Sequence, residues 1–287
     1  MGDPVYFGIA GWSYPDWAGC VYPPRLPARD HLAYVAAYVD MVEVNSTFYR
    51  PPSARSTETW ARKAEERPGF FFTAKVHRDV THGGVLDPEL IRSFNEGMEP
   101  LRAAGKLRQL LAQFRYDFAD APRARDHLQG IRDAFEPVAP LVLELRHNSW
   151  QAPGALDFLG SLGVTVANLD YPTARDSFNL LECRVGLDGY LRLHGRNRKA
   201  WFDKNAGRDE AYNYLYDAGE LAGLRDRIFS LRRSLRSLTV VANNHFRGKE
   251  IANTLELKSL VTGRPVPVPP LLLAEYPRLA AIVVPPS

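Results

Sequence analysis

The segment "MVEVNSTFYRPP" (residues 41–52) places Val42 and Val44 on one side of an extended chain and Glu43 and Asn45 on the other. Alternate residues of a strand face opposite ways, so a carboxylate and an amide stand opposite an apolar stripe. The arrangement recurs. In 141–146, Leu141, Leu143 and Leu145 oppose Val142, Glu144 and Arg146. In 190–194, Leu191 and Leu193 oppose Arg192 and His194, and in 71–77, Phe72, Ala74 and Val76 oppose Thr73, Lys75 and His77. Where helices cover the outside of a sheet, its apolar face lies under them. The charged face then has only the interior of a closed sheet to turn to.

The rest of the chain supplies that sheet. Strand patterns fall at 5–11, 39–45, 70–76, 107–114, 141–146, 164–170, 189–195 and 238–244. Helical patterns fall at 29–39, 54–66, 87–105, 121–135, 154–163, 217–235 and 248–263. Pro88 and Pro122 suit first helical turns. Gly105, Gly163 and Gly263 stand where helices stop. Eight strand–helix repeats predict an α/β chain of the (β/α)8, TIM-barrel type. Residues 171–193 carry no convincing helix, so the barrel is expected to be irregular between strands six and seven. There Asp188-Gly189 reads as a hairpin turn. An open doubly wound sheet is the alternative, but no glycine-rich dinucleotide fingerprint follows the first strand. We expect one domain over 1–287, with the proline-rich tail 264–287 packed on it.

Composition narrows the function classes. The 287 residues are 45% hydrophobic and 24% charged, with a net charge of +3. Any anionic partner must therefore be argued from local clusters. Two cysteines, Cys20 and Cys183, make no disulfide framework, and a reducing cytoplasm is expected. "MGDPVYFGIAG" lacks a signal-peptide pattern, and no apolar run is long enough to span a membrane.

The inward residues Glu43, Lys75, Glu144, Arg146, Arg192 and His194 lie toward the C-terminal ends of their strands, the end where barrel enzymes place their sites. Two carboxylates against three cations leave such a site in want of an anion. A structural ion-pair network plugging the barrel is the plain alternative. Glu43 and Glu144 are candidates for general base and acid, with His194 as proton shuttle. Arg146 and Arg192 would grip phosphate, while Asn45, Asn243 and Asn244 would orient the ligand. Arg196, Arg198, Lys199, Lys204, Arg247 and Lys249 make the loops after strands seven and eight basic, where such barrels often hold phosphate. The rings of Trp12, Tyr14, Trp17, Phe48, Tyr49, Trp150, Trp201, Tyr212 and Tyr214 suit stacking on bases or sugars. His77, His82, His147, His194 and His245 could join Glu43, Glu144 and Asp170 around a metal, but no HExxH motif is present and Lys75 and Arg192 would repel a cation. Cys20 reads as a bland thiol.

Several stretches resemble the YecE-like family, domain of unknown function 72, in order along nearly the whole chain. They are "GIAGWSYPDWAGCVYP" (8–23), "VEVNSTFYRPP" (42–52), "FTAKVHRDVTH" (72–82), "LELRHNSW" (143–150), "LRLHGR" (191–196), "YNYLYDAGEL" (212–221) and "VANNHFRGKEIAN" (241–253). The resemblance implies a barrel similar to those of sugar isomerases and endonucleases, and supplies no reaction. It marks Trp12, Tyr14, Trp17, Glu43, Asn45, Thr47, Phe48, Tyr49, Lys75, Glu144, Arg146, Trp150, Arg192, His194, Gly195, Asn243, Asn244 and Asn253 as family positions. Arg115 and Thr254 depart from the family pattern. We therefore expect Glu43, Glu144 and His194 to be catalytic. Ligand binding is expected at Trp12, Tyr14, Asn45, Thr47, Tyr49, Lys75, Arg146, Trp150, Arg192, Asn243 and Asn244. No metal, cofactor or membrane is called for. The expected partner is an anionic small molecule or nucleic acid, specifically a phosphate-bearing ligand, a nucleotide or nucleic acid, worked on by acid–base chemistry at the C-terminal mouth of the barrel. The alternatives are a non-catalytic nucleic-acid binder and a metal-dependent phosphoesterase or sugar-isomerase-like enzyme.

Overall fold

The computed structural model describes residues 4–284, with Arg208 described by its backbone alone. The first three residues, and the last three of the expected tail, lie outside the described residues. Nine strands form one sheet: β1 (Val5–Ala10), β2 (Met41–Val44), β3 (Phe71–Lys75), β4 (Leu107–Gln113), β5 (Leu141–Glu144), β6 (Thr165–Val166), β7 (Asn168–Asp170), β8 (Asp188–Leu193) and β9 (Ser237–Ala242). Their order is β6-β5-β4-β3-β2-β1-β9-β8-β7, and every pairing is parallel. Only Ala167 separates β6 from β7, and its N–H donates to the carbonyl of Leu143 at 2.9 Å. The two are halves of one strand, so nine segments fill eight positions and the sheet closes. The chain is a (β/α)8, TIM-type barrel, as the strand–helix alternation predicts.

The expected irregularity lies at this broken strand. Residues 183–185 run beside β6. The Val166 N–H donates to Val185 O at 3.1 Å. The Asn168 amide donates to Cys183 O and accepts from Cys183 N–H, at 2.9 and 2.8 Å. At the base of the barrel β6 meets β8 through a side chain: the Thr165 hydroxyl donates to Asp188 O at 2.9 Å.

The hairpin turn read from Asp188-Gly189 is corrected here. Both residues open strand β8, in parallel register with Ser237 and Leu238 of β9. Asp188 is polar because Arg236 and the Ser237 hydroxyl both donate to its carboxylate. Gly189 is small because a Cβ there would stand 2.4 Å from a methyl of Leu235. The pair met the demands of a strand end packed against a loop.

The helices wrap the outside: α1 (His31–Val35), α2 (Ala54–Glu65), α3 (Arg78–Thr81), α4 (Pro88–Ala103), α5 (Pro122–Phe135), α6 (Pro153–Ser161), α7 (Arg198–Phe202), α8 (Arg208–Ala211), α9 (Ala218–Leu231), α10 (Lys249–Thr262) and α11 (Pro270–Glu275). Pro88 and Pro122 occupy first-turn positions. Asp217 and Glu220 form a reciprocal capping box at the start of α9, which satisfies two otherwise orphaned N–H groups. None of the helices among the described residues is long and apolar enough to cross a membrane.

Faces follow the alternation. Val42, Val44, Phe72, Ala74, Val76, Leu141 and Leu143 belong to the core beneath the helices. Met41, Phe71, Leu111, Val142 and Tyr190 fill the inside of the cylinder. A register shift between Phe72 and Thr73 skips Arg108 of β4, which lies over the rings of Tyr6 and Phe71 and closes the lower end. In the tail, Leu272 and Leu279 are buried, and Val266 N–H donates to Ile282 O at 2.8 Å.

Close approach of β1 to β2 leaves no room at Gly8, where a Cβ would meet Met41 O at 2.3 Å. Gly160 in α6 has nothing within 4 Å of a built Cβ. Gly8→Ala should therefore lose about 2–3 kcal/mol of unfolding free energy through overpacking, whereas Gly160→Ala should gain about 0.5–1 kcal/mol. Urea denaturation of both variants checks the pair, and equal effects would contradict this packing.

Candidate functional site

The centre of the barrel is ionic. Glu43 (β2), Glu144 (β5), Arg192 (β8) and His194, which follows β8, are 0, 0, 1 and 0% exposed. Arg192 bridges the carboxylates. Its Nη2 donates to Glu43 Oε1 at 2.6 Å and its Nε to Oε2 at 3.1 Å, while Nη1 donates to Glu144 Oε2. The other Glu144 oxygen accepts from Arg146 Nε and Nη2 at 2.8 and 2.6 Å. The Tyr190 hydroxyl donates to Glu43 Oε2 at 2.9 Å and meets the Thr73 hydroxyl at 2.8 Å. Buried ions survive only when paired and fully hydrogen-bonded, and this set meets that condition.

The protonation states follow. Burial alone would raise the Glu144 pKa, but Arg192, Arg146 and His194 outweigh it and hold it well below the carboxylate range. Burial pushes His194 down to about 4, assisted by Arg192 against the pull of Glu144, so the imidazole is neutral. The Asn243 amide lies 3.0 Å from its Nδ1, and its Nε2 stands between Glu144 Oε1 at 3.5 Å and Arg192 Nη1 at 3.4 Å. Glu250, fully buried at the start of α10, is pushed well above the carboxylate range by burial and adds no negative charge.

Lys75 is the remaining cation. It ends β3 beside this network, and its Nζ donates to Gln113 Oε1 at 2.6 Å and lies 4.4 Å from the centroid of the Phe48 ring. Among the described residues no carboxylate stands within ion-pairing distance of it. Burial lowers its pKa to about 8, and Arg192 adds to the effect. Glu43 and Glu144 are consumed by Arg192 and Arg146, so the excess positive charge counted from the sequence resides on Lys75.

A pocket of ≈ 280 Å³ opens above, at the C-terminal end of the barrel. Lys75, Gln113, Asn45 and Asn243 give it a polar floor, and Trp12, Tyr14, Tyr49, Tyr212 and His245 give it walls. Ser46 also lines an adjoining groove with Arg50, Ser53, Ser56, Trp60 and Ser93. Neither lining contains a carboxylate. Local geometry fixes the walls. Asn45 Nδ2 donates to Ala10 O at 3.0 Å, and the Tyr14 hydroxyl bonds the same carbonyl. Tyr14 stacks on His245 with centroids 4.4 Å apart, and Trp12 meets Trp60 edge to face at 5.4 Å.

The residues expected to bind ligand therefore divide. Trp12, Tyr14, Asn45, Tyr49, Lys75 and Asn243 line the pocket. Arg192 lies beneath it with Glu43, Glu144 and His194. Arg146, 15% exposed, is occupied with Glu144 under the ring of Trp201. Thr47 is sealed and donates to Lys75 O at 2.7 Å, fixing the backbone that carries the amine. Trp150 is sealed against Phe118 and donates to its carbonyl at 2.7 Å. Asn244 is sealed and donates to Tyr214 O and Asn253 Oδ1 at 2.8 and 3.0 Å. Gln113, Ser46 and Arg50 are not anticipated from the sequence, and His245, considered there only as a metal candidate, is a wall of the pocket. Gln113 alone had a legible signal, since Gln109, Leu111 and Gln113 alternate inward as Glu144 does.

Of the six basic-loop cations, carboxylates neutralise Arg196 and Arg247, neutral groups hold Arg198 and Lys249, and Lys199 and Lys204 have no ion pair among the described residues. Arg196 reaches Asp170 at 2.7 Å and Glu220 at 3.1 Å. Arg198 donates to Thr173 O at 2.7 Å, and Arg247 reaches Glu275 at 2.8 Å. Lys249 donates to Asn213. The histidines are dispersed: His77 and His147 cap short helical segments, and His82 packs against Phe48. No group of three or more His, Cys, Asp or Glu placed to hold a metal occurs among the described residues.

Because His194 is neutral when folded, the unfolded chain binds more protons between about pH 4 and pH 6.5. Stability therefore falls as pH drops through that window, by about 2–3 kcal/mol at about pH 4.5. The Glu144 contribution is present above the ordinary carboxylate pKa and is lost as pH falls from there through its lowered folded value. His194→Asn should remove that amount from the stability difference between about pH 7 and about pH 4.5. Urea midpoints measured at the two pH values check this, and an unaltered difference would contradict a neutral His194.

A family model described as "Protein of unknown function DUF72" matches residues 6–274. The UPF0759 protein YunF of Bacillus subtilis (strain 168) is 24% identical over 272 residues, 90% of this chain and 94% of that protein. The crystal structure of a DUF72 family protein from Thermotoga maritima superposes with a TM-score of 0.79 at 30% identity, covering 90% of this chain and 99% of that one. A second, from Enterococcus faecalis, gives 0.78 at 24% identity, covering 90% and 95%.

Proposed function

The chain belongs to the DUF72 family, whose description names no reaction, and from its own residues we propose that the mouth pocket binds a small phosphate-bearing ligand and acts on it by acid–base chemistry. One observation carries the reading: a pocket lined by amides and rings, without a carboxylate among its described lining residues, has Lys75 at its floor with no ion-pair partner among the described residues. Arg50 stands in the contiguous groove among four serines. A phosphate beside Arg50 and those hydroxyls would place the body of the ligand between Trp12, Tyr14, Tyr49 and Tyr212, with its reactive end over Lys75. Arginine suits that task because its planar fork matches phosphate geometry.

Lys75 is the group in this reading that touches the ligand. A pKa of about 8 lies close enough to neutrality for it to give and take a proton. Glu43, Glu144 and His194, sealed below, are positioning residues. They hold Arg192 and Arg146 in place and set the field in which the amine titrates. A sugar phosphate or a mononucleotide fits the reading better than a nucleic-acid strand, since the pocket is a small mouth and Arg196 and Arg247, two of the rim cations, are already paired with carboxylates. A metal-dependent reaction finds less support, because Lys75 and Arg192 face the place where a metal would sit.

Calorimetric titration tests the proposal with mononucleotides and sugar phosphates beside their dephosphorylated counterparts. A charge-assisted contact of about 1.5–3 kcal/mol predicts that the phosphorylated member of a pair binds at least about tenfold more tightly. Arg50→Ala should abolish the preference. Equal affinity for both members, or a preference untouched by Arg50→Ala, would defeat the proposal.

A further inference from the structure

Lys75 differs from an ordinary counter-ion in three ways. Its backbone is fixed at the end of β3 by the bond from the Thr47 hydroxyl to its carbonyl at 2.7 Å. Its amine is aimed by Gln113, an amide oxygen that accepts one N–H and demands no positive charge. Its neighbourhood holds two carboxylates, Glu43 and Glu144, but both face it already bound to arginine. An amine so placed keeps its lone pair for the pocket whenever it is neutral.

We propose that Lys75 is a covalent-catalysis residue, its Nζ condensing with the carbonyl carbon of a phosphate-bearing aldehyde or ketone to form an imine. The inference rests on the reading that the mouth pocket takes a phosphate-bearing ligand, and it names the class of that ligand. In the step, the Nζ lone pair forms the C–N bond while the carbonyl π pair moves to oxygen, which takes a proton from solvent in the open pocket. Nitrogen releases one of its two hydrogens to solvent as a proton, giving the neutral carbinolamine, and the nitrogen lone pair then expels the hydroxyl, which leaves as water with a second solvent proton. One amine, one carbonyl and one proton give one protonated imine and one water, with no oxidant or reductant. The protonated imine is a cation in place of the ammonium, so the field of Glu43 and Glu144 beneath accommodates it. It draws electrons from the neighbouring carbon, which supports proton removal or carbon–carbon bond cleavage there.

The burial-lowered pKa of about 8 agrees with this role, because a substantial fraction of the amine is then neutral near neutral pH, unlike an exposed lysine near 10.4.

The chain has seven lysines, Lys63, Lys75, Lys106, Lys199, Lys204, Lys249 and Lys258, so trapping can be mapped cleanly. The full-length protein is exposed briefly to dihydroxyacetone phosphate and, separately, to dihydroxyacetone, each with cyanoborohydride to reduce any imine. Peptide mass spectrometry then locates the adduct. The inference expects one adduct per chain, at Lys75, formed at least an order of magnitude faster than at any other lysine and absent in Lys75→Arg. Circular dichroism of that variant, with mapping of its six other lysines, confirms that it is folded. Glycerol 3-phosphate, which has no carbonyl, reports binding independently. If it binds and Lys75 is not trapped, the imine is overturned while the phosphate pocket stands. If it does not bind but Lys75 is trapped selectively by both ketones alike, the imine stands and the phosphate pocket falls. Labelling spread evenly over the lysines overturns the imine whatever glycerol 3-phosphate does.

Discussion

Everything at the centre of this barrel depends on one guanidinium. Arg192 reaches across the cylinder to Glu43 on one wall and Glu144 on another, tying strands distant in sequence but close in space. Removing one partner of such a buried pair costs more than the pair contributes, because the orphaned charge stays in a low-dielectric interior. The network therefore constrains its own surroundings: Tyr190 and Thr73 below and Arg146 above are each placed where an oxygen of the two carboxylates, or a hydroxyl bound to one, needs a partner. The amine of Lys75 lies beyond the last carboxylate with a partner to spare, which is why the floor of the pocket is cationic without being an ion pair.

Much of this was legible in the sequence for a simple reason. Period-two alternation in a closed, helix-covered sheet leaves a charged residue one direction to face, so Glu43, Lys75, Glu144, Arg192 and His194 could be placed on the inner wall before any coordinates. Depth along the axis was not legible. Alternation says in or out, but not how far below the rim a residue sits. Glu43 and Glu144 lie beneath the pocket floor and not at its surface, and the difference turns on loops whose paths the sequence does not encode locally. Thr47, Trp150 and Asn244 illustrate the same limit. Each has the chemistry of a ligand contact and each spends it on a backbone carbonyl. Asp188-Gly189 shows another: a turn dipeptide is also what a strand needs where an arginine must be anchored and a leucine must pack close.

The basic loops carry a related lesson about counting. Their arginines and lysines suggest an anion-hungry rim when read along the chain. In space Asp170, Glu220 and Glu275 stand against Arg196 and Arg247, so the belt is partly neutralised, while the amine of Lys75 lies inside the mouth with no carboxylate paired to it. Aromatic rings divide in the same way, with Trp17 and Trp150 in the core and Trp12, Tyr14 and Tyr49 at the opening.

The broken sixth strand has a mechanical consequence. All eight joints of the wall carry a backbone ladder, but at the joint between the sixth strand and β8 the ladder runs only over Asn168–Asp170, and below it the wall is buttoned by the hydroxyl of Thr165 on the carbonyl of Asp188. A single button is weaker than a row of rivets, so the lower half of this joint is the least tied part of the wall. The joint runs beside the strand that bears Arg192, which makes the guanidinium a clasp across the seam nearest to it as well as a counter-ion.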